Sequence, residues 1–97
     1  MEREETITRL VARLEELRNR YHVAHLSVFG SVARDQAGPG SDIDLLVEFS
    51  KTPGLFEFID LKLYLEALLE APVDLVTRRA LKPQLREGIL SGAIHVC

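Results

Sequence analysis

The sequence predicts a single α/β (α+β) domain over residues 1–97, with a small sheet and flanking helices in the order α-β-α-β-α-β-α. Three observations carry that expectation. Two long segments, 3–20 and 55–70, place apolar residues at helical spacing. Three short runs rich in β-branched and alternating apolar residues separate or follow them. The chain of 97 residues is long enough for one domain and not for two.

Residues 3–20 read as one amphipathic helix, with Ile7, Leu10, Val11, Leu14 and Leu17 on its apolar side and Glu and Arg between them. "HLSVFG", 25–30, reads as a strand ending at Gly30. "SVARDQ" reads as a short helix opened by Ser31, a favoured N-cap residue. "AGPGS" is a loop punctuated by Gly and Pro. "DIDLLVEF", 42–49, is a strand with Ile43, Leu45, Val47 and Phe49 alternating onto one face. After the turn "KTPG", residues 55–70 form a second main helix with Leu55, Phe58, Ile59, Leu65, Leu68 and Leu69 as its apolar side. "APVDLVT", 71–77, is a strand entered through Pro72. Residues 81–91 read as a last helix, with Pro83 near its start, where a missing N–H costs little. "AIHVC" adds a short edge strand.

Composition narrows the function. The net charge is −3 with both signs spread along the chain, which argues against a protein that grips nucleic acid through phosphate neutralisation. No apolar run approaches the ~18 residues of a membrane-spanning helix, and "MEREETITRL" lacks the apolar core of a signal peptide. The single cysteine, Cys97, cannot form an internal disulfide, in keeping with a cytoplasmic protein. His22, His25 and His95 show no zinc-site spacing.

The informative feature is a strand that opens with two aspartates. Side chains at i and i+2 of a strand share a face, so Asp42 and Asp44 project together while Ile43 and Leu45 point into the core. Asp74 sits in a second strand, with Val73 and Leu75 on the opposite face. Two such charges ~5 Å apart at an effective dielectric of ~20 repel by roughly 3 kcal/mol. Either the carboxylates stand apart, or one is protonated, or cations lie between them. Oxygen-only ligands suit Mg²⁺ or Mn²⁺, and clustered aspartates with two metals and a nucleoside triphosphate are a recurring solution for in-line displacement at phosphorus. A plainer reading stays open: "SDID" as a polar loop with an Asx-turn, and Asp74 as a solvated strand-end residue. An EF-hand is excluded, because its Gly and Glu positions counted from Asp42 are Val47 and Pro53. Gly30-Ser31 closes one strand and opens a helix, so it reads either as a phosphate cradle without a Walker lysine or as a simple turn.

The combination is more specific than its parts. Gly30-Ser31, ten intervening residues, Asp42-Ile43-Asp44 and a later Asp74 in "PVDLV" resemble the nucleotidyltransferase superfamily related to DNA polymerase beta. The likeness runs from 23 to 96 and is nearest to the minimal nucleotidyltransferases, the antitoxin half of HEPN/MNT toxin–antitoxin pairs. The resemblance implies a small mixed sheet with helices packed against it. It implies that Asp42 and Asp44 bind two Mg²⁺ ions (Mn²⁺ being an alternative), and that Asp74 binds one and assists deprotonation of the attacking hydroxyl. It implies that Gly30, Ser31 and Ser41 contact the triphosphate, with Arg34 positioning it or bracing the loop. The implied reaction moves AMP from ATP onto a tyrosine of a HEPN toxin and releases pyrophosphate. An antitoxin that binds nucleotide and occludes its toxin without catalysis is the alternative; transfer to a small molecule or an RNA end is a third. One residue departs from the pattern: Asp35 stands after Arg34, where many members carry Gly.

Larger superfamily members carry a further domain over the active site. A chain this small covers one wall, so a second copy or a HEPN protein is expected to supply the rest. Leu61, Leu63, Tyr64 and the 81–94 segment offer apolar surface for such a partner, or are ordinary core and scattered exposed residues.

Overall fold

The structure, a computed structural model, describes residues 2–33, 42–81 and 92–97. Their elements are α1 (Arg3–Val11), α2 (Leu14–Tyr21), β1 (Val23–Phe29), α3 (Gly30–Ala33), β2 (Ile43–Phe49), α4 (Leu55–Leu69), β3 (Val73–Thr77), a 3₁₀ turn (Arg78–Ala80) and β4 (Ile94–His95). The strands form one mixed sheet in the order β3-β2-β1-β4. β1 runs antiparallel to β2 and to β4, whereas β2 and β3 are parallel and joined through α4. The alternation along β2 turns Ile43, Leu45 and Val47 inward, each no more than 1% exposed. They belong to the same buried cluster as Leu61, Leu65 and Leu69 of α4, Leu10 and Leu17 of the N-terminal helices, and Val73 and Leu75 of β3.

The expected helix over 3–20 is two helices with a turn at Ala12–Arg13. At the break the Arg13 N–H donates to Leu10 O at 3.0 Å, a tighter turn, and the Leu17 N–H then returns to Arg13 O at 3.0 Å. Neither Gly nor Pro marks this point, and Leu10 and Leu17 stay fully buried on either side of it. Val11, expected on the apolar side, is half-exposed. α2 ends at His22, whose φ of 58° is left-handed and normally favours glycine. The His22 carbonyl accepts the Ser50 N–H at 2.8 Å and the Ser50 hydroxyl at 3.1 Å, which fixes the turn between α2 and the end of β2. β1 consequently begins at Val23, two residues before the expected start, and takes up the extra residue as an irregularity between Val23 and His25.

α4 has the expected limits to within a residue but presents a different face. Leu61 is buried, whereas Leu55 and Ile59 are exposed. The helix is apolar almost all round, so periodicity alone does not select the side that meets the sheet. Phe58 is held inward by an edge-to-face contact with Phe49 at 6.3 Å between ring centroids. The edge strand at Ile94–His95 pairs with Ser27 and Val28 of β1. The loop 37–41 and the expected helix at 81–91, apart from Leu81, lie outside the described residues. Among the described residues no helix is long and apolar enough to cross a membrane.

Candidate active site

β1 delivers Phe29 opposite Asp44 of β2, and the chain turns at once through Gly30. Gly30 has a φ of +70°, a conformation that side-chain-bearing residues rarely adopt. It also has no room for a side chain: an added Cβ would overlap the Asp44 Oδ2 and lie 3.0 Å from Asp44 Cγ. Glycine is therefore required here twice over, once by the turn and once by the carboxylate against which the backbone rests. α3 opens at this point, and its buried Val32 and Ala33 anchor it to the core.

The parallel pairing brings the third carboxylate alongside. The Ile43 N–H donates to Pro72 O at 2.9 Å, which sets the register at the mouth of β2 and β3. In that register Asp44 lies level with Asp74, and Ile43 with Val73. Register partners on neighbouring strands project to the same side of a sheet, and Asp42 precedes Asp44 by two residues in line with it. Asp42 and Asp74 are exposed and Asp44 is half-buried. The three aspartates and Gly30 thus gather at one end of the sheet, on the face away from the core cluster.

Among the described residues no three His, Cys, Asp or Glu side chains enclose a metal site by themselves. The donor set is nevertheless of the kind Mg²⁺ uses, since that ion is commonly held by one or two carboxylates and completes its shell with water and substrate phosphates. A half-buried carboxylate under a glycine turn, level with one exposed carboxylate and two residues after another, fits an ion shared with a substrate.

Ser31 follows Gly30 in the backbone of α3, while Arg34, Asp35 and Ser41 lie outside the described residues. The histidines His25 and His95 are elsewhere: their rings are tilted against each other with centroids 5.8 Å apart, and His25 Nδ1 lies 3.3 Å from Cys97 O. Two features of the site were not read from the sequence. One is the packing of Gly30 on Asp44, signalled only by the Gly-Ser spacing. The other is Leu46, which shares the aspartate face of β2 yet is buried, apart from the main cluster.

This arrangement can be set beside known proteins. Residues 9–96 match the nucleotidyltransferase domain. The chain belongs to that family. It is 43% identical over 93 residues to the protein adenylyltransferase MntA of Thermococcus cleftensis, a match spanning 96% of this chain and 94% of that protein. A structure solved as a candidate minimal nucleotidyltransferase superposes with a TM-score of 0.81 at 42% identity, covering 97% of this chain and 95% of the other. A complex of a tri-AMPylated Shewanella oneidensis HEPN toxin with an MNT antitoxin aligns with a TM-score of 0.69 at 19% identity, covering 98% of this chain and 71% of that one, and shows the shared fold. The small mixed sheet with flanking helices that the resemblance implied is thereby borne out as a nucleotidyltransferase fold. This minimal nucleotidyltransferase carries its three aspartates and its glycine turn at one end of a four-stranded sheet.

Proposed function

We propose that this nucleotidyltransferase is a Mg²⁺-dependent protein adenylyltransferase antitoxin, 1–97 acting as one domain, that moves AMP from ATP onto a tyrosine of a HEPN toxin in the cytoplasm. The observation that carries the reading is the stack Gly30–Asp44–Asp74: a glycine turn pressed on one carboxylate, with a second level with it across a parallel strand pair. The name of the Thermococcus cleftensis relative and the AMPylated toxin in the Shewanella oneidensis complex support the choice of reaction and partner.

Asp42 and Asp44 are the residues that would hold two ions, with Asp74 as a further ligand to one of them. Bound Mg²⁺ supplies charge neutralisation and polarisation of the phosphoryl oxygens. Gly30, Ser31, Arg34 and Ser41 are the residues that would contact the triphosphate. Asp74, exposed at the edge of the group, takes the proton of the attacking tyrosine hydroxyl. The tyrosine oxygen forms a bond to the α-phosphorus, the bond from that phosphorus to the bridging oxygen breaks, and pyrophosphate leaves with the electron pair. The β2 backbone holds Asp44 through the buried Ile43 and Leu45 on either side, so the carboxylate is positioned before substrate arrives.

The test is transfer of label from α-³²P-ATP to the HEPN toxin proposed as its partner, by the wild-type chain and by Asp44→Asn. Label in the toxin with the wild type and none with the variant is expected. A toxin that stays unlabelled with both, yet is neutralised by both, would replace catalysis with simple occlusion.

A further inference from the structure

At the end of the sheet opposite the aspartates lies a cavity of about 650 Å³, within the size range of ligand sites. Glu48 at its edge is four residues along β2 from Asp44, roughly 13 Å away at strand spacing. Half-buried Phe49 and Phe58 line it together with His25, Arg78 and Arg79. Glu48 holds Arg78 at 2.9 Å, but Arg79 has no ion pair among the described residues. Among the described residues that line it, two arginines thus face one carboxylate, on a chain whose net charge is −3.

The cavity does not end in polar surface. Leu55 lines it and begins an exposed row on α4 with Phe56, Ile59 and Leu63, at exposures of 71%, 81%, 41% and 57%. Residues at i and i+4 are neighbours on a helix, so the row is continuous. It amounts to on the order of 400 Å², the size at which the largest apolar patch of a monomer is often functional. A small molecule filling the cavity would leave Phe56, Ile59 and Leu63 in water; a polypeptide covers both.

We propose that this cavity and the outer row of α4 form the docking surface for the toxin, which lays a segment along α4, places a large apolar side chain against Phe49 and Phe58, and sets a carboxylate beside Arg79. The inference rests on the reading of the chain as a toxin's partner. It separates grip from chemistry: the toxin is held at one end of the sheet while the aspartates at the other remain open to ATP and the acceptor tyrosine.

Calorimetric titration of the full chain against the HEPN toxin proposed as its partner tests this with Phe56→Glu, Arg79→Glu, Asp44→Asn and, as a control on α1, Val11→Glu. Phe56→Glu is expected to weaken binding about 30-fold and Arg79→Glu about 10-fold. Asp44→Asn and Val11→Glu should bind within about twofold of wild type, and Phe56→Glu, Arg79→Glu and Val11→Glu should keep their melting temperatures, because surface changes are usually small in stability. Wild-type affinity in both Phe56→Glu and Arg79→Glu would overturn the docking surface while leaving the adenylyltransferase reading intact. Absence of binding by the wild type would instead remove that reading, and the docking surface with it. Loss of a self-dimer in Phe56→Glu by light scattering, with toxin affinity unchanged, would assign the face to a second copy and overturn the proposal.

Discussion

On its inner face β2 buries Ile43, Leu45 and Val47 against α4; on its outer face the same seven residues present Asp44, Leu46 and Glu48. The inner set is interchangeable in kind, since any well-fitting apolar side chains would serve. The outer set is not: Asp44 packs against the Gly30 turn and lies level with its register partner Asp74. One strand therefore carries both the stability of the sheet and the proposed chemistry, and period-two alternation keeps the two apart. The comparison teaches that the inner face is what makes the outer one precise, because a carboxylate on a buried strand cannot drift.

Substitutions that strike one face and spare the other can break this division. The largest effect is expected for Asp44→Asn, which should lower adenylyl transfer by about 10³-fold or more, several kcal/mol of transition-state stabilisation, with a melting temperature close to wild type. Steady-state transfer rates and a thermal melt together check it; a large loss of stability would mean that the two faces are not independent. Next is Leu45→Ala, on the opposite face one residue away. It should cost about 2–5 kcal/mol, at roughly 4–8 °C per kcal/mol for a domain of this size, and should leave the activity of the folded fraction largely intact at low temperature.

Gly30→Ala tests the point where the faces meet. The left-handed backbone costs about 1–3 kcal/mol for a residue with a side chain, and the new methyl group must push the Asp44 carboxylate aside. Because a misplacement of ~1 Å can cost ~10²-fold in rate, activity should fall by more than stability does, measured as transfer rate against denaturant midpoint. The smallest effect belongs to Tyr64, remote from both faces. Its hydroxyl donates to Glu16 at 2.8 Å, and burial followed by that bond to a carboxylate pushes the phenol above its ordinary value. The folded state therefore favours the protonated phenol: this contribution to stability is complete below the unfolded value of about 10 and is lost as pH rises through the higher folded one. Tyr64→Phe should cost less than about 1 kcal/mol near neutrality and flatten the alkaline limb of a stability–pH curve.

Much of this site was legible in the sequence because strand alternation is local. Asp42 and Asp44 declare a common face by their spacing, and the Gly30-Ser31 pair declares a turn at the end of the preceding strand. The level pairing of Asp44 with Asp74 was not local: it depends on the α4 crossover and on the Ile43 N–H to Pro72 O bond that sets register. The buried side of α4 was misread for a related reason. Leu55, Ile59 and Leu61 are alike as apolar residues, and only the sheet's position selects Leu61. The turn at Ala12–Arg13 left no trace because tightening one turn does not disturb the spacing of Leu10 and Leu17. The left-handed His22 moved the start of β1 although nothing about a histidine announces that conformation.

The most direct measurement of the central claim is an anomalous diffraction map of crystals grown with Mn²⁺ and a non-hydrolysable ATP analogue. The account predicts manganese peaks at the carboxylates of Asp42 and Asp44, with the analogue's phosphates against Gly30. Manganese absent from these carboxylates, or a nucleotide seated at the Arg79 end of the sheet instead, would contradict it.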